Sequence, residues 1–114
     1  MATIGVVIAT YNGEKYIKEQ LSSICNQTQK PNSIIVSDGG SQDNTVNACK
    51  KLLENYNDIN WNVLESNKQL GITENFEKGL LQCDCDYIFF SDQDDVWKLN
   101  KIEIIVQLMN EHNV

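Results

Sequence analysis

Short runs of β-branched and aromatic residues alternate with helix-type patterns along the chain, and this alternation restricts the fold more than any other feature. Residues 4–9 and 34–36 are apolar runs typical of strands buried on both faces. Residues 60–65 alternate apolar and polar side chains, as in a more exposed edge strand, and residues 87–90 form a fourth run typical of a buried strand. The order predicts an α/β fold, with a mostly parallel sheet of about four strands flanked by helices.

Four amphipathic helices are predicted between and after these strands, because apolar residues recur there three or four positions apart. Ser41 or Asp43 is placed to cap the second helix, and Asn100 the last. No repeat or linker interrupts the pattern, so residues 1–114 are predicted to form a single domain. The predicted core residues are Ile17, Leu21, Ile24 and Cys25 in the first helix, Val46, Cys49, Leu52, Leu53 and Tyr56 in the second, Ile72, Phe76, Leu80 and Cys83 in the third, and Ile102, Ile105, Val106 and Met109 in the fourth.

The charge of the chain excludes some classes of partner. Its 114 residues carry a net charge of −7, which argues against a nucleic-acid surface or an anionic membrane as partner. All nine basic residues are Lys, so the bidentate Arg contact to phosphate is absent. Any phosphate bound here must therefore rely on Lys, on backbone N–H groups or on a metal ion.

The sequence has no apolar run as long as a membrane span and no signal-peptide pattern. Cys25 and Cys49 fall on apolar helix faces, where a reduced thiol packs as a small hydrophobe. Cys83 and Cys85 could form half of a zinc site, but no second Cys/His pair lies nearby, so zinc and a disulfide are the less favoured interpretations. We therefore expect a cytoplasmic protein, with the inner face of the membrane as a second location for an intact enzyme.

Three acids follow the fourth predicted strand directly. Asp92, Asp94 and Asp95 lie within four positions, and carboxylates this close repel one another unless a positive charge lies among them. Carboxylate oxygens are the ligands that hard divalent cations prefer. The cluster therefore predicts a metal site at the carboxyl end of a strand, where Asp94 or Asp92 can hold a cation that bridges a diphosphate. A solvated loop at the start of the last helix is the alternative.

Polar and small residues also follow the first two strands. Because the carboxyl ends of parallel strands share one edge of the sheet, Thr10, Tyr11 and Asn12 are predicted to lie near Asp38 and Gly39. Tyr11 can stack on a nucleotide base, and Asp38 can accept a hydrogen bond from a base or a ribose hydroxyl. The alternatives are that Tyr11 only covers the sheet edge and that Asp38 is only a turn residue.

Three segments in this order resemble the family 2 inverting glycosyltransferases, which have the GT-A fold. They are Val-Ile-Ala-Thr-Tyr-Asn at 7–12, Ile-Val-Ser-Asp at 35–38 and Asp-Gln-Asp-Asp-Val-Trp at 92–97. Asn-Phe-Glu-Lys-Gly at 75–79 and the form of residues 91–97 are most similar to the rhamnosyltransferase-type members that build bacterial surface polysaccharide. The resemblance covers nearly the whole chain and implies a Rossmann-like GT-A half.

The resemblance implies a nucleotide-diphosphate sugar as donor and a saccharide as acceptor. Ala9, through its backbone, and Tyr11 would contact the base, while Asp38 would contact base and ribose. The D-x-D motif would be Asp92-Gln93-Asp94, with Asp94 coordinating Mg²⁺ or Mn²⁺. The nucleotide-binding residues implied are Ala9, Thr10, Tyr11, Asn12, Asp38, Gly39, Asp92 and Gln93, and the metal ligands implied are Asp94 and Asp92.

Two departures from the family pattern affect what we expect of this chain. Gly39 stands where the family usually has a second Asp, so the base contact of that carboxylate is missing or supplied by Asp38. The family's catalytic domain is also longer, and its acceptor half and catalytic base follow the residues present here. We expect the donor-binding half alone to bind a metal–nucleotide complex weakly and to transfer no sugar, and its exposed cut surface could promote homodimers.

Other functions fit the sequence less well. A haloacid-dehalogenase-like phosphohydrolase would use Asp92 as nucleophile, but its motif normally follows the first strand. An EF-hand with Asp92, Asp94 and Glu103 as ligands is rejected, because Trp97 stands where that loop requires Gly. A noncatalytic nucleotide-binding or interaction domain remains open. The glycine patterns of dinucleotide-binding folds and P-loops are absent.

Overall fold

The computed structural model describes residues 2–92 and 94–112, and it confirms the predicted alternation of strands and helices. Parallel pairing joins all four strands into one sheet, so the α/β prediction with a Rossmann-like parallel sheet is correct. The strands are β1 (Ile4–Thr10), β2 (Ser33–Asp38), β3 (Asn60–Leu64) and β4 (Tyr87–Ser91), and the helices are α1 (Ile17–Cys25), α2 (Thr45–Leu53), α3 (Ile72–Leu81) and α4 (Lys101–Glu111).

The strand order β3-β2-β1-β4 creates a switch point beside β1. The chain moves outward from β1 through β2 to β3, and α3 then returns it to the other side of β1, where β4 pairs. Thr10 lies opposite Asp38 on β2, and Ile8 lies opposite Ser91 on β4. The strand order reverses at β1, and α/β proteins bind ligands in the crevice outside the carboxyl ends of the strands at such a reversal. Here that crevice lies between β1 and β4.

Alternate residues of the central strands point to two separate core clusters. On one face, Ile8 and Val36 pack with residues of α1, α2 and α4, including Leu21 and Ile102. On the other face, a smaller cluster containing Val7 lies under α3. Three helices therefore cover one face of the sheet, and α3 lies alone on the other.

The prediction that residues 87–90 form a fully buried strand is wrong. Phe90 is 51% exposed, and the three residues before it are only half-buried. The reason is that β4 is an edge strand, so it pairs with β1 alone. Phe90 contacts Phe76 of α3 edge to face, with 5.4 Å between the ring centroids.

The predicted buried face of α3 is correct only in part: Cys83 is buried and Phe76 packs against the same cluster, but the other two residues are exposed. Ile72 is 76% exposed, and Leu80 is exposed as well. The helix faces the sheet through Asn75 and Gly79 instead. A Cβ at position 79 would lie 2.6 Å from Cγ1 of Val7, so α3 approaches the strand more closely than a larger residue allows.

The helix starts differ in part from the predicted caps. Asp43 accepts from the backbone N–H of Thr45 at 3.0 Å and from its hydroxyl, as expected of a residue at the start of α2. Ser41 makes no such bond with α2, because its hydroxyl donates to Asp38. Asn100 lies at the N-cap position of α4, but its side chain does not cap the helix.

All four cysteines are free thiols, and Cys25 and Cys49 are buried as predicted. Burial raises the pKa of each of these two thiols to about 12, so both are neutral packing residues. Within residues 2–92 and 94–112, no group of three or more His, Cys, Asp or Glu side chains could hold a metal ion. No helix in that part of the chain is both long and apolar enough to cross a membrane.

Candidate functional site

A cavity of about 580 Å³ lies at the switch point, between the ends of β1 and β4. Ala9, Thr10 and Tyr11 line it from the end of β1, and Asp92 lines it from the end of β4. Its remaining wall comes from the segment before α3 and from α3 itself. The structure therefore brings Ala9, Thr10, Tyr11 and Asp92 to one cavity, whereas Asn12 and Asp94 are not among its lining residues. The other lining residues are Gln69, Leu70, Gly71, Ile72, Asn75 and Phe76.

Asp38 is buried beside this cavity and organises the loop after β2. It is 2% exposed, and Oδ1 accepts from the hydroxyls of Thr10 at 2.8 Å and Ser41 at 2.6 Å. Oδ2 accepts from the backbone N–H groups of Ser41 at 2.7 Å and Gly40 at 3.2 Å. A carboxylate has about four acceptor positions, so these bonds use its capacity. Direct contact with a nucleotide would require one of these donors to move.

The loop after β2 is fixed in place by two glycines. Gly39 donates to the carbonyl of Thr10 at 2.8 Å and accepts from the N–H of Leu70 at 3.0 Å. Gly40 has φ +94°, and a Cβ there would lie 2.6 Å from the carbonyl oxygen of Lys68. Only glycine fits a left-handed position that packs this closely on another backbone. The loop therefore joins β1 to the wall of the cavity.

Asn75 is the residue of this site that the sequence analysis missed. It is buried, its Oδ1 accepts from the hydroxyl of Ser37 at 2.7 Å, and its Nδ2 donates to the carbonyl of Thr10 at 3.2 Å. A Cβ at Gly39 would lie 3.1 Å from Nδ2 of Asn75, so the glycine leaves room for this amide. Asn75 begins the Asn-Phe-Glu-Lys-Gly segment, which gave the only sequence signal for it.

Asn12 connects the loops after β1 and β2 and does not line the cavity. Its backbone N–H donates to the hydroxyl of Ser41 at 2.8 Å, and its side-chain Oδ1 accepts from the N–H of Gln42 at 2.9 Å. It adopts a left-handed backbone, with φ +50°. Asn residues accept this conformation more readily than most, which explains the residue type at this turn.

The segment after β4 that carries Asp92, Asp94 and Asp95, called the acidic loop below, makes few contacts. Asp92 and Asp94 are exposed, and Asp94 is left-handed, with φ +70°. Asp95 accepts from Nε1 of Trp97 at 3.1 Å. No lysine in the described part of the chain forms an ion pair with these acids. The predicted role of Gln93 lies outside the described residues.

The acidic loop suits a cation that arrives with a diphosphate. Asp92 and Asp94 are two carboxylates, too few for an all-protein cage. Mg²⁺ sites in nucleotide-dependent enzymes commonly combine one or two carboxylates with substrate phosphates and water. Asp92 and Asp94 would therefore hold Mg²⁺ or Mn²⁺ only together with phosphate oxygens and water.

Comparison with known proteins identifies the family and the fold. The family model of glycosyl transferase family 2 matches residues 5–114. The dTDP-rhamnosyl transferase RfbG of Shigella flexneri is 43% identical over 110 residues, which cover 93% of this chain and 38% of RfbG. Glycosyltransferase GlyG of Streptococcus pneumoniae is 32% identical over 108 residues, which cover 95% of this chain and 35% of GlyG. The chain thus spans little more than a third of the length of these relatives.

Solved structures show the same fold. S. aureus TarS in complex with UDP matches 97% of this chain and 33% of its own, with a TM-score of 0.86 and 27% identity. The mannosyltransferase PcManGT of Pyrobaculum calidifontis, solved with GDP-Man and Mn²⁺, has a TM-score of 0.87 at 22% identity, covering 95% of this chain and 32% of its own, which shows the fold alone. The GT-A half implied by the resemblance is confirmed, and the likeness to a rhamnosyltransferase is borne out by RfbG. The chain belongs to glycosyl transferase family 2.

Proposed function

We propose that this chain binds the nucleoside diphosphate of a sugar donor together with Mg²⁺ or Mn²⁺, as the donor half of an inverting glycosyltransferase. One observation carries the proposal: Ala9, Thr10, Tyr11 and Asp92 line one cavity at the switch point of a family 2 chain. Open α/β sheets bind ligands at this position.

In the proposed complex, each loop contacts a different part of the nucleotide. Tyr11 and the backbone of Ala9 form the wall against which the base packs. Asp38 holds the hydroxyl of Thr10 and the loop after β2 in place. Its carboxylate can contact the base or the ribose only when one of the loop donors breaks its hydrogen bond and frees a carboxylate oxygen. Asp92 and Asp94 face the diphosphate end.

Charge is the reason for requiring a metal ion. The chain has a net charge of −7 and no Arg, and the residues lining the cavity include no Lys. A diphosphate beside Asp92 would meet repulsion without a compensating cation. When bound, a divalent metal would neutralise the developing charge of the leaving nucleoside diphosphate.

The relatives suggest which donors to test first. The name of RfbG specifies a dTDP-rhamnosyl transferase, and TarS was solved with UDP and with UDP-GlcNAc. We therefore propose a pyrimidine nucleotide and, for the intact protein, transfer of the sugar to a saccharide acceptor in bacterial surface polysaccharide synthesis. A carboxylate base outside these residues would activate the acceptor hydroxyl. A cytoplasmic location and a homodimer stay predictions.

A thermal-shift panel tests the binding proposal. Purified chain is heated with dTDP, UDP or GDP, each with and without Mn²⁺, and with Asp94→Asn as control. A ligand that binds only the folded state at about 100 times its Kd adds about 2.7 kcal/mol, which is a shift of many degrees in a domain of this size. We expect a rise in Tm with dTDP or UDP that requires Mn²⁺.

Two results would contradict the proposal. If no nucleotide raises Tm in the presence of Mn²⁺, a noncatalytic interaction domain is favoured instead. If a generic phosphate ester is hydrolysed and Asp92→Asn abolishes that hydrolysis, the phosphohydrolase alternative returns, although nothing in the fold favours it. Sugar transfer by this chain alone would contradict the prediction that the donor half is inactive by itself.

A further inference from the structure

A buried glutamine of α1 reaches the point where the acidic loop begins. Gln20 is 0% exposed, and the other buried residues of α1 are all apolar. Its Nε2 donates to the hydroxyl of Ser91 at 2.9 Å and to the backbone carbonyl of Asp92. A carbonyl oxygen only accepts, so the nitrogen of the amide must face Asp92. Gln20 therefore links α1 to the first acid of the predicted metal site.

This amide carries a cost that an apolar residue would avoid. The Oε1 atom of Gln20 is buried and has no hydrogen-bond partner among the described residues. A buried acceptor without a partner costs roughly 1–3 kcal/mol. Packing alone would favour Leu or Met at this position of the helix. The contribution of the amide therefore lies in the geometry that it gives to Ser91 and Asp92.

Other residues of the α1 segment hold the far side of the acidic loop. The hydroxyl of Ser23 accepts from the backbone N–H of Trp97 at 3.0 Å. Just after the helix, Nε2 of Gln27 donates to the carbonyl of Lys98 at 2.6 Å, and its Oε1 accepts from the N–H of Ile102 at 3.0 Å. The acidic loop is thus tied to α1 on both sides, while Asp92 and Asp94 keep exposed side chains.

We propose that Gln20 is a positioning residue for the metal–nucleotide site. By holding the carbonyl of Asp92, it fixes the direction in which the chain leaves β4 and hence where the carboxylates of Asp92 and Asp94 lie. The inference rests on the proposed function, since it assumes that these carboxylates bind a metal–diphosphate. Gln20 is buried and does not line the cavity, so in this proposal it contacts neither the metal nor the nucleotide. Partners of this indirect kind typically contribute about 10–100-fold to metal affinity.

Gln27 provides a matched control. Both glutamines are buried, both belong to the α1 segment, and both donate to a backbone carbonyl of the segment after β4. Gln20→Met and Gln27→Met remove the two amides with little change in side-chain volume. Mn²⁺–dTDP and Mn²⁺–UDP are titrated separately into each variant, with free Mn²⁺ followed by electron paramagnetic resonance, and Tm is measured without ligand.

We expect Gln20→Met to raise Kd by about 10-fold or more. Gln27→Met should change Kd by less than about threefold, because its bonds lie beyond the acids. It should lower Tm more than Gln20→Met, because both amide atoms of Gln27 are hydrogen-bonded whereas Oε1 of Gln20 has no partner among the described residues. Equal Kd values for wild type and Gln20→Met would overturn the inference and leave the proposed function standing. Absence of binding by the wild-type chain would overturn both.

If Gln20→Met does not fold, nuclear magnetic resonance of the wild-type chain tests whether Gln20 is coupled to the metal–nucleotide site. The side-chain amide signals of Gln20 should shift when Mg²⁺–UDP or Mg²⁺–dTDP is added, more than those of Gln27, and Asp94→Asn should abolish the shift. If the signals of Gln20 stay in place while backbone signals of the acidic loop move, the bond from Gln20 to Asp92 is not coupled to the site and the inference is overturned.

Discussion

The loops after β2 and β4 both contribute aspartates to the carboxyl edge of the sheet, but their surroundings are opposite. Asp38 is buried and accepts from donors of Thr10, Gly40 and Ser41. Asp94 is exposed, and no hydrogen bond or ion pair of its side chain is found within residues 2–92 and 94–112. A satisfied buried carboxylate stabilises the fold, whereas exposed carboxylates held close together without a cation are available to a ligand.

The comparison separates residues that build the site from residues that meet the ligand. The loop after β2 is complete without a nucleotide, because its own donors use the carboxylate of Asp38. Among its described residues, the acidic loop has no positive charge, and the bonds that hold it involve its backbone and Trp97. Substitutions in the first loop should therefore change stability more than ligand affinity, and substitutions in the second should do the reverse.

The largest effect is expected for Asp38→Asn. The amide nitrogen cannot accept, so it would leave unpaired either the hydroxyls of Thr10 and Ser41 or the backbone N–H groups of Gly40 and Ser41. We expect a loss of about 2–4 kcal/mol in the free energy of unfolding. Urea denaturation followed by tryptophan fluorescence measures it.

Asp86→Asn is the matched control for this substitution. Asp86 also accepts from a backbone N–H and a hydroxyl, both of Thr3, but at an exposed position beside the start of β4. Solvent can replace those bonds, so the loss should stay below about 1 kcal/mol. If Asp38→Asn costs no more than Asp86→Asn, the loop after β2 is not the rigid half of the site.

Asp94→Asn should show the reverse pattern. Removing one of two candidate metal carboxylates should weaken Mn²⁺–dTDP or Mn²⁺–UDP binding by about 10-fold or more, which corresponds to about 1.4 kcal/mol. Because the side chain is exposed, the Tm without ligand should stay within about one degree of wild type. Isothermal titration calorimetry and a melting curve measure the two quantities.

The control for this charge change is Asp84→Asn. Asp84 is exposed and lines a different cavity with Thr3 and Asn32, which lie before β1 and β2 at the opposite end of the strands. Asp84→Asn should leave the Kd for Mn²⁺–dTDP or Mn²⁺–UDP unchanged. A loss of affinity that is equal in both variants would mean that overall charge, and not the acidic loop, governs binding.

A smaller effect is expected for Gly39→Ala in the loop after β2. The added Cβ would lie 3.1 Å from Nδ2 of Asn75, so that amide must shift by a few tenths of an ångström and weaken its bond to Thr10. We expect a loss of about 1 kcal/mol in urea denaturation. Gly71→Ala, where a Cβ meets nothing within 4 Å, should lose less. An equal loss would show that Asn75 adapts freely.

The fold and the meeting of the loops could be predicted because they depend on local periodicity and on the shared direction of parallel strands. The exposure of Phe90 and Ile72 could not be predicted, because it depends on which strand forms the sheet edge and on the close approach of α3 at Gly79. Strand order is not encoded in the pattern of any one segment. Apolar residues at the correct spacing therefore predicted the right helix but only part of its buried face.

The polar contacts within the site were also beyond the sequence. Asn75 and Thr10 are 65 positions apart, and Gln20 and Asp92 are 72 apart. A single amide side chain carries no periodic signal that would identify its partner across such a distance. The aspartates were found because they follow strands directly, but only the packing shows that Asp38 is saturated while Asp94 is exposed.

The smallest predicted effect is at Asp43, at the end of the loop after β2. Burial acts to raise the pKa of this carboxyl, but hydrogen bonds from Thr45 and from the N–H of Glu14 outweigh it and hold the pKa below the usual 3.8. A depressed pKa in the folded state gives stability that is present above pH 3.8 and is lost as pH falls through the folded-state pKa.

Asp43→Asn keeps an acceptor for Thr45 but removes the charge near the start of α2. We therefore expect urea denaturation to show wild type a few tenths of a kcal/mol more stable than the variant at pH 7, because the carboxylate is exposed and screened. That difference should shrink as pH falls below 3.8 and through the lower folded-state pKa. A difference that stays constant across this range would assign the effect to hydrogen-bond geometry and not to charge.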